Sequence, residues 1–196
     1  NFNNGFMSTD SMVTHVFNGY GLFDVELTAI SDDGCSNSKI KSAEVFANPI
    51  VDFFASQFCE GDPTIFNNFS SVPNSNIISS NWSFGLEGSS ITKNSTYTFL
   101  SDGVYDVSLL IVSERGCESM LIKEIKIYKL PTPNFEISSN ICLGDEVEIS
   151  FLSNTNNANV VDWSYNFGDG NSSIEQNPDH TYNYVSSFDV SLEVIS

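Results

Sequence analysis

The stretch Gly103–Ser113, GVYDVSLLIVS, places Tyr105, Val107, Leu109 and Ile111 on alternate positions, with the polar Asp106 and Ser108 between them. Successive side chains of a strand point to opposite faces, so this period of two marks a half-buried β-strand. The segment recurs as GLFDVELTAIS (residues 21–31) and SSFDVSLEVIS (residues 186–196). The aspartates they share, Asp24, Asp106 and Asp189, stand 82 and 83 residues apart. His15, Tyr97 and His180 fall on the same spacings, as do Cys35 with Cys117 (82) and Cys59 with Cys142 (83). Self-similarity at a fixed period is the signature of a tandem array.

Working outward, NFNNG (residues 1–5) and SFGLEG (83–88) lie over NFGDG (166–170), and CEGD (59–62) over CLGD (142–145). The repeat is about 83 residues long, and the chain divides into the C-terminal part of a first repeat (1–47), a complete second (48–129), and a third (130–196) expected to lack its last strand. In the first copy Phe23, Val25, Leu27 and Ala29 are expected to face inward. Residues 39–46 and 121–128 alternate likewise and supply the last strand of their repeats; Val147, Ile149 and Phe151 mark an earlier one. Short strands separated by Gly, Asn, Asp and Ser clusters predict an all-β chain of two-sheet sandwiches. The joints ANPIVDF (47–53) and LPTPNFEI (130–137) carry prolines, which fix φ and lack an N–H, so they read as short and semi-rigid.

Composition bounds the function. Seven Lys and Arg against 25 Asp and Glu give a net charge of −18, which repels nucleic-acid phosphate and anionic lipid. No apolar run reaches the roughly 18 residues of a membrane span, and no signal-like start is present, so direct membrane insertion is not expected. Apolar residues, at 40% with 16 Phe, suffice for real cores.

Asp169, between the two glycines of FGDG, is the one carboxylate in a place that suits catalysis or metal binding. The internal copies argue otherwise: Asn4 replaces it in the first repeat, and the second reads LEG. A turn tolerates that change, since glycine supplies positive φ and Asp or Asn bonds nearby backbone amides, whereas acid–base chemistry does not. Phe2, Phe84 and Phe167 precede the turn in every copy and are core candidates, and Trp82 and Trp163 are expected to pack in the same core. His15 and His180, replaced by Tyr97 in the middle copy, read as structural aromatics at a strand start. Two histidines in separate repeats build no nucleophilic triad and no His cluster, so no catalytic residue and no metal site is assigned.

With these residues in view, the repeats resemble PKD domains, the immunoglobulin-like family first named from polycystic kidney disease protein. The third copy carries the family signature as YNFGDG, QNPDHTY and SSFDVSL; the second as WSFGLEG, TYTF and GVYDVSL; the first as NFNNG, THVF and GLFDVEL. The C-x-G-D and G-C positions are similar to those of PKD repeats in large surface proteins of Bacteroidota. The resemblance implies tandem immunoglobulin-like sandwiches, an extracellular or cell-surface location, and a stalk segment of an adhesin, including gliding-motility adhesins exported by the type IX system. Its alternative is a PKD module accessory to a secreted enzyme, binding polysaccharide or protein, for which Tyr20, Tyr182 and Tyr184 are the candidate aromatics. The partners implied are neighbouring repeats, other cell-surface proteins and polysaccharide.

Some PKD domains bind calcium through Asp-x-Asp-Gly ahead of the tryptophan; the matching loops 71–81 and 153–162 lack that pair, and SDDG (31–34) is short. Weak surface calcium binding is the single cofactor expectation. The four cysteines are expected to be oxidised in a secreted protein. By analogy with the immunoglobulin fold, C-x-G-D and G-C lie at opposite ends of a repeat, about 23 Å apart for a seven-residue strand and beyond disulfide reach. Cys59 and Cys117, and likewise Cys35 and Cys142, are therefore expected to pair with neighbouring repeats, the alternative being Cys59 with Cys117. DSM (10–12) matches a Bacteroidota O-glycosylation pattern at Ser11, and Asn68, Asn81, Asn94 and Asn171 begin chance-level sequons.

Overall fold

The computed structural model describes residues 1–2, 5–86, 88–138, 141–153 and 160–195. Asn4, Glu87, most of the loop 153–162 and Ser196 lie outside the described residues. Among those described, all regular structure is β. A hairpin comes first, β1 (Gly21–Ile30) and β2 (Ser36–Val45). The middle repeat follows as β3 (Phe53–Ser56), β4 (Pro63–Asn68), β5 (Ile77–Phe84), β6 (Ser89–Ser90), β7 (Ser95–Thr98), β8 (Gly103–Ser113) and β9 (Glu118–Ile127). The third repeat has β10 (Phe135–Ile137), β11 (Glu146–Phe151), β12 (Asp162–Asn166), β13 (Ser172–Ser173), β14 (Asp179–Thr181) and β15 (Ser191–Ile195).

The strand orders make the repeat visible. The middle repeat has sheets β3-β4-β7 and β6-β5-β8-β9; the third has β10-β11-β14 and β13-β12-β15. Each described strand of the third repeat has its counterpart in the same sheet position of the middle one. Two antiparallel sheets in this order form the expected immunoglobulin-like sandwich.

By internal contacts, residues 1–56, 65–96 and 106–124 form one compact unit, and residues 57–64, 97–105 and 125–196 a second. In the first unit the alternation of β8 is realised in full: Val107, Leu109 and Ile111 are 0% exposed. Phe53, Phe66, Trp82 and Phe84 form an aromatic core there, with Phe53 edge-on to Trp82 at 5.2 Å and Trp82 parallel to Phe84 at 6.3 Å. Burying side chains of this size stabilises by about 1.5–3 kcal/mol each. In the second unit Val147, Ile149, Tyr165 and Phe167 are the buried centre, with Phe135, Trp163, Tyr182, Val190 and Leu192 packed against it.

One expectation needs correction. Leu27 and Ala29 of β1 are exposed, Leu27 by 71%, and only Phe23 and Val25 of that row are half-buried. An apolar strand face is buried by an opposing sheet, and among the described residues β1 has only β2 beside it. Both tryptophans pack in the core of their repeat as expected, at different depths. The 83-residue spacing sets Trp82 over Tyr165, and Tyr165 takes its place, parallel to Phe167 at 6.5 Å. Each ring hands its polar group to a backbone carbonyl further along: Trp82 Nε1 to Thr92 at 2.9 Å, Tyr165 Oη to Gln176 at 3.2 Å. Trp163 is half-buried at the core margin, edge-on to Phe151 at 5.9 Å, and its Nε1 is buried without a hydrogen-bond partner among the described residues.

Candidate functional site

The FGDG loop leaves β12 as a tight turn closed by Phe167 N donating to Asn171 O at 3.1 Å. Gly168 has φ +78°, and a Cβ built there would lie 2.7 Å from Asp189 O, so this glycine answers to both backbone conformation and close approach. Asp169 turns inward, its side chain only 4% exposed. Its carboxylate accepts from Asn171 N and Asn171 Nδ2, both at 3.0 Å, and from His180 Nε2 at 2.8 Å. An ionised carboxylate only accepts, so Nε2 carries the proton in this pair. Burial acts to raise the Asp169 carboxyl, but the bonds from the Asn171 amide, His180 and the Asn171 side chain outweigh it and hold the pKa below the ordinary value.

His180 is itself held by rings. It stacks on Phe167 at 4.1 Å with 5° between planes, and Tyr182 meets it edge-on at 4.6 Å. Tyr182 stacks on Phe188 at 4.1 Å and donates its hydroxyl to Phe167 O at 3.0 Å. Burial, then the Asp169 charge, push the Tyr182 hydroxyl up. The other repeats build the same ladder. Tyr97 meets Phe99 edge-on at 4.9 Å, and Phe99 lies 4.3 Å from Tyr105; His15 meets Phe17 edge-on at 4.9 Å, and Phe17 lies 4.5 Å from Phe23. The place of His180 is thus a rung in all three copies.

The cysteines occupy two kinds of turn. Ser31 N donates to Cys35 O at 2.8 Å and Cys35 N to Ser31 Oγ at 3.2 Å; Ser113 and Cys117 repeat this at 2.9 and 3.1 Å. In the C-x-G-D turns Asp62 N donates to Cys59 O at 3.3 Å and Asp145 N to Cys142 O at 3.0 Å, with Gly61 and Gly144 at positive φ. All four thiols are free, Cys35 and Cys142 exposed and Cys59 and Cys117 half-buried. Each cysteine turn of the middle repeat lies against a joint. Arg115, two residues before Cys117, sits over the Phe46 ring at 4.8 Å. Glu60, next to Cys59, accepts Asp102 N at 3.1 Å and Leu130 N at 3.2 Å. The sequence reading missed this Glu60 clamp; its middle place in C-x-G-D, where the third repeat has Leu143, gives no sign of it.

The sequence model of the PKD domain family matches residues 46–127 and, again, residues 128–196. The chain belongs to the PKD domain family. Among solved structures, the PKD1 domain of Vibrio anguillarum Epp is similar at 20% identity, over 42% of this chain and 95% of that one, with a TM-score of 0.39. The PKD1 domain of the Vibrio cholerae metalloprotease PrtV is similar at 28% identity, over 41% of this chain and 96% of that one, with a TM-score of 0.38. The three N-terminal domains of the bacteriophage RB49 outer capsid protein Hoc match at 16% identity, over 81% of this chain and 60% of that one, at 0.41.

The remaining candidates find their places within these PKD repeats. Tyr182 is a packing residue and leaves the set of sugar-stacking candidates, while Tyr20 and Tyr184 are 55% and 54% exposed. No group of three or more His, Cys, Asp or Glu able to hold a metal is present among the described residues. Ser11 lies exposed in a bend of the loop before β1. A cleft of about 680 Å³ on the middle repeat is lined by Ser and Asn residues such as Asn68, Ser79 and Asn81 together with Val72, Ile77, Ile78, Ile91 and Lys93, with no aromatic ring among its lining residues.

The Asp169–His180 bond predicts a repeat-specific acid response. A depressed carboxylate pKa contributes stability that is present above the unfolded value, about 3.9, and is lost as pH falls through the folded value. The third repeat is therefore expected to lose urea resistance below about pH 4, and Asp169→Asn to flatten that dependence. Urea midpoints between neutral and acidic pH, read on β15 amides by NMR, check it.

Proposed function

We propose that residues 1–196 are a segment of a non-enzymatic stalk in a large secreted or cell-surface repeat protein, a bacterial adhesin of the gliding-motility kind exported by the type IX system. The observation that carries this reading is the pair of anchored joints: Phe46 under Arg115, and the Leu130 amide on the Glu60 carboxylate. Joints made of side-chain contacts and proline, between repeats of one build, suit a spacer that resists bending. Antiparallel ladders and buried apolar faces would carry the tension.

The stalk reading includes covalent staples. Cys59 would pair with the G-C cysteine of the following repeat and Cys117 with the C-x-G-D cysteine of the preceding one; Cys35 and Cys142 would reach outward in the same way. That each cysteine turn of the middle repeat lies against a joint supports this pairing over Cys59 with Cys117. Ser11, exposed in its loop, is the proposed O-glycosylation site. The second reading, a polysaccharide- or protein-binding module accessory to a secreted enzyme, has the cleft of mixed Asn, Ser and aliphatic lining in its favour. Stretching single molecules of the cell-surface protein with and without reductant tests the stalk reading.

A further inference from the structure

In the four-stranded sheet of the middle repeat, β5 stands between β6 and β8. Strand β8 accompanies β5 from Ile77 to Phe84, whereas β6 pairs with it only at Trp82 and Ser83. Past Ser90 the chain swings away from β5. Trp82 Nε1 donates to Thr92 O at 2.9 Å, and Asn68 N donates to Asn94 Oδ1 at 3.0 Å. From Ile77 to Asn81 the outer edge of β5 therefore has no strand beside it among the described residues. The gap between that edge and the 91–93 segment belongs to the cleft of about 680 Å³. It is internal to the middle repeat: β4 and β6, before and after β5 in the chain, are both in place.

The lining suits a ligand of definite shape and charge. A β-bulge between Ile77 and Ser79 leaves Ile78 66% exposed in the cleft wall. Ser75 Oγ, in the same wall, is buried without a hydrogen-bond partner among the described residues. Asn68 Nδ2 donates to Ser80 Oγ at 3.1 Å and ties β4 to β5 across the two sheets, so the cleft is formed in advance. From residue 63 to residue 101 the only charged side chains are Glu87 and Lys93, in a chain of net charge −18. Lys93 is the charged residue of the lining. An anionic ligand repelled by most of this surface is admitted here.

We propose that the cleft is a strand-addition site for an extended peptide carrying a carboxylate. The peptide lies beside Ile77–Asn81 and bonds its backbone to the open edge of β5. It packs an aliphatic side chain against Ile78 and Ile91 and sets its carboxylate on Lys93. Main-chain bonding supplies affinity and the alternate side chains supply specificity, as in β-strand addition generally. A volume within the range of about 300–1,000 Å³ admits a saccharide as well. The lining, however, offers no aromatic ring for a sugar to stack on, while it does offer an unpaired strand edge. This inference rests on the second reading above, the binding module, and names its class of partner.

The test titrates the whole chain, isotope-labelled, with two capped heptapeptides of alternating threonine and valine, one beginning and one ending in glutamate. The expected result is a saturable shift of the Ile77–Asn81 amides by one of them at about 1 mM, with exchange there slowed about tenfold. Lys93→Glu and Ile78→Asp should each weaken binding about tenfold. Both positions are exposed, and unchanged β8 amides report that the fold persists. The same peptides N-methylated at alternate residues should not bind, because they cannot complete a ladder. Equal binding by the methylated peptides overturns the proposal, as do the same shifts arising without peptide as the chain dimerises. Shifts of these amides by cellohexaose but by neither peptide overturn it while leaving the binding-module reading in place. Silence toward peptides and saccharide alike overturns it and removes the cleft from that reading too.

Discussion

Gly168→Ala is expected to destabilise the third repeat by about 2–4 kcal/mol, enough to unfold it while the middle repeat stays native. Two costs combine. Alanine at φ +78° carries the left-handed penalty of about 1–2 kcal/mol. Its Cβ also meets Asp189 O at 2.7 Å and Asp189 N at 3.0 Å, backbone atoms on the approach to β15 that cannot swing aside. The internal copy supplies the control. Gly85 holds the equivalent position at φ +74°, but its nearest neighbour is Asp106 O at 4.0 Å, so Gly85→Ala should cost only the conformational term, about 1 kcal/mol. Gly170→Ala, at φ +96° with nothing within 4 Å, should behave like Gly85→Ala. Urea unfolding followed on residue-resolved amides measures all three; equal losses at Gly85 and Gly168 would refute the close-approach argument.

The second large effect separates two residues that look alike in sequence. Trp82→Ala should cost about 3–5 kcal/mol, because a 2%-exposed ring ringed by Phe53, Phe66 and Phe84 leaves a cavity that cannot collapse. Trp163→Phe should cost nothing, or stabilise by up to about 1 kcal/mol, since it removes a buried N–H that has no acceptor among the described residues while keeping a ring against Phe151. Midpoints at unchanged urea slope report the two values. A loss at Trp163→Phe comparable with that at Trp82→Ala would mean that the two tryptophans share one role after all.

These pairs show what could be read from the chain beforehand. Alternation in Gly103–Ser113 and the 82- and 83-residue spacings were enough for strands, repeats and sandwich, because burial on one face leaves a period-2 imprint that three copies reinforce. Asn4 against Asp169 was enough to read FGDG as a turn. The Asp169–His180 bond was not legible in the same way: His15 persists beside Asn4 in the first copy, so the two positions do not change together. Tyr165 standing in for Trp82 was implicit in the spacing, but the shared residue type drew attention to Trp163. Leu27 and Ala29 show the opposite limit, since a strand's pattern encodes an inner face whether or not a partner sheet lies over it. Glu60 reaches Leu130 across 70 residues, a contact that no local pattern records.

The central claim is that these PKD repeats act as a stapled mechanical spacer, and stretching single molecules of the protein taken from the cell surface tests it most directly. An unstapled repeat of about 83 residues releases roughly 250–300 Å of chain when it unfolds, at about 3.6 Å per residue. The account predicts that such steps are missing without reductant, when staples between neighbours hold the chain, and appear at even spacing once the disulfides are reduced. The same steps with and without reductant would contradict it, leaving a string of independent modules.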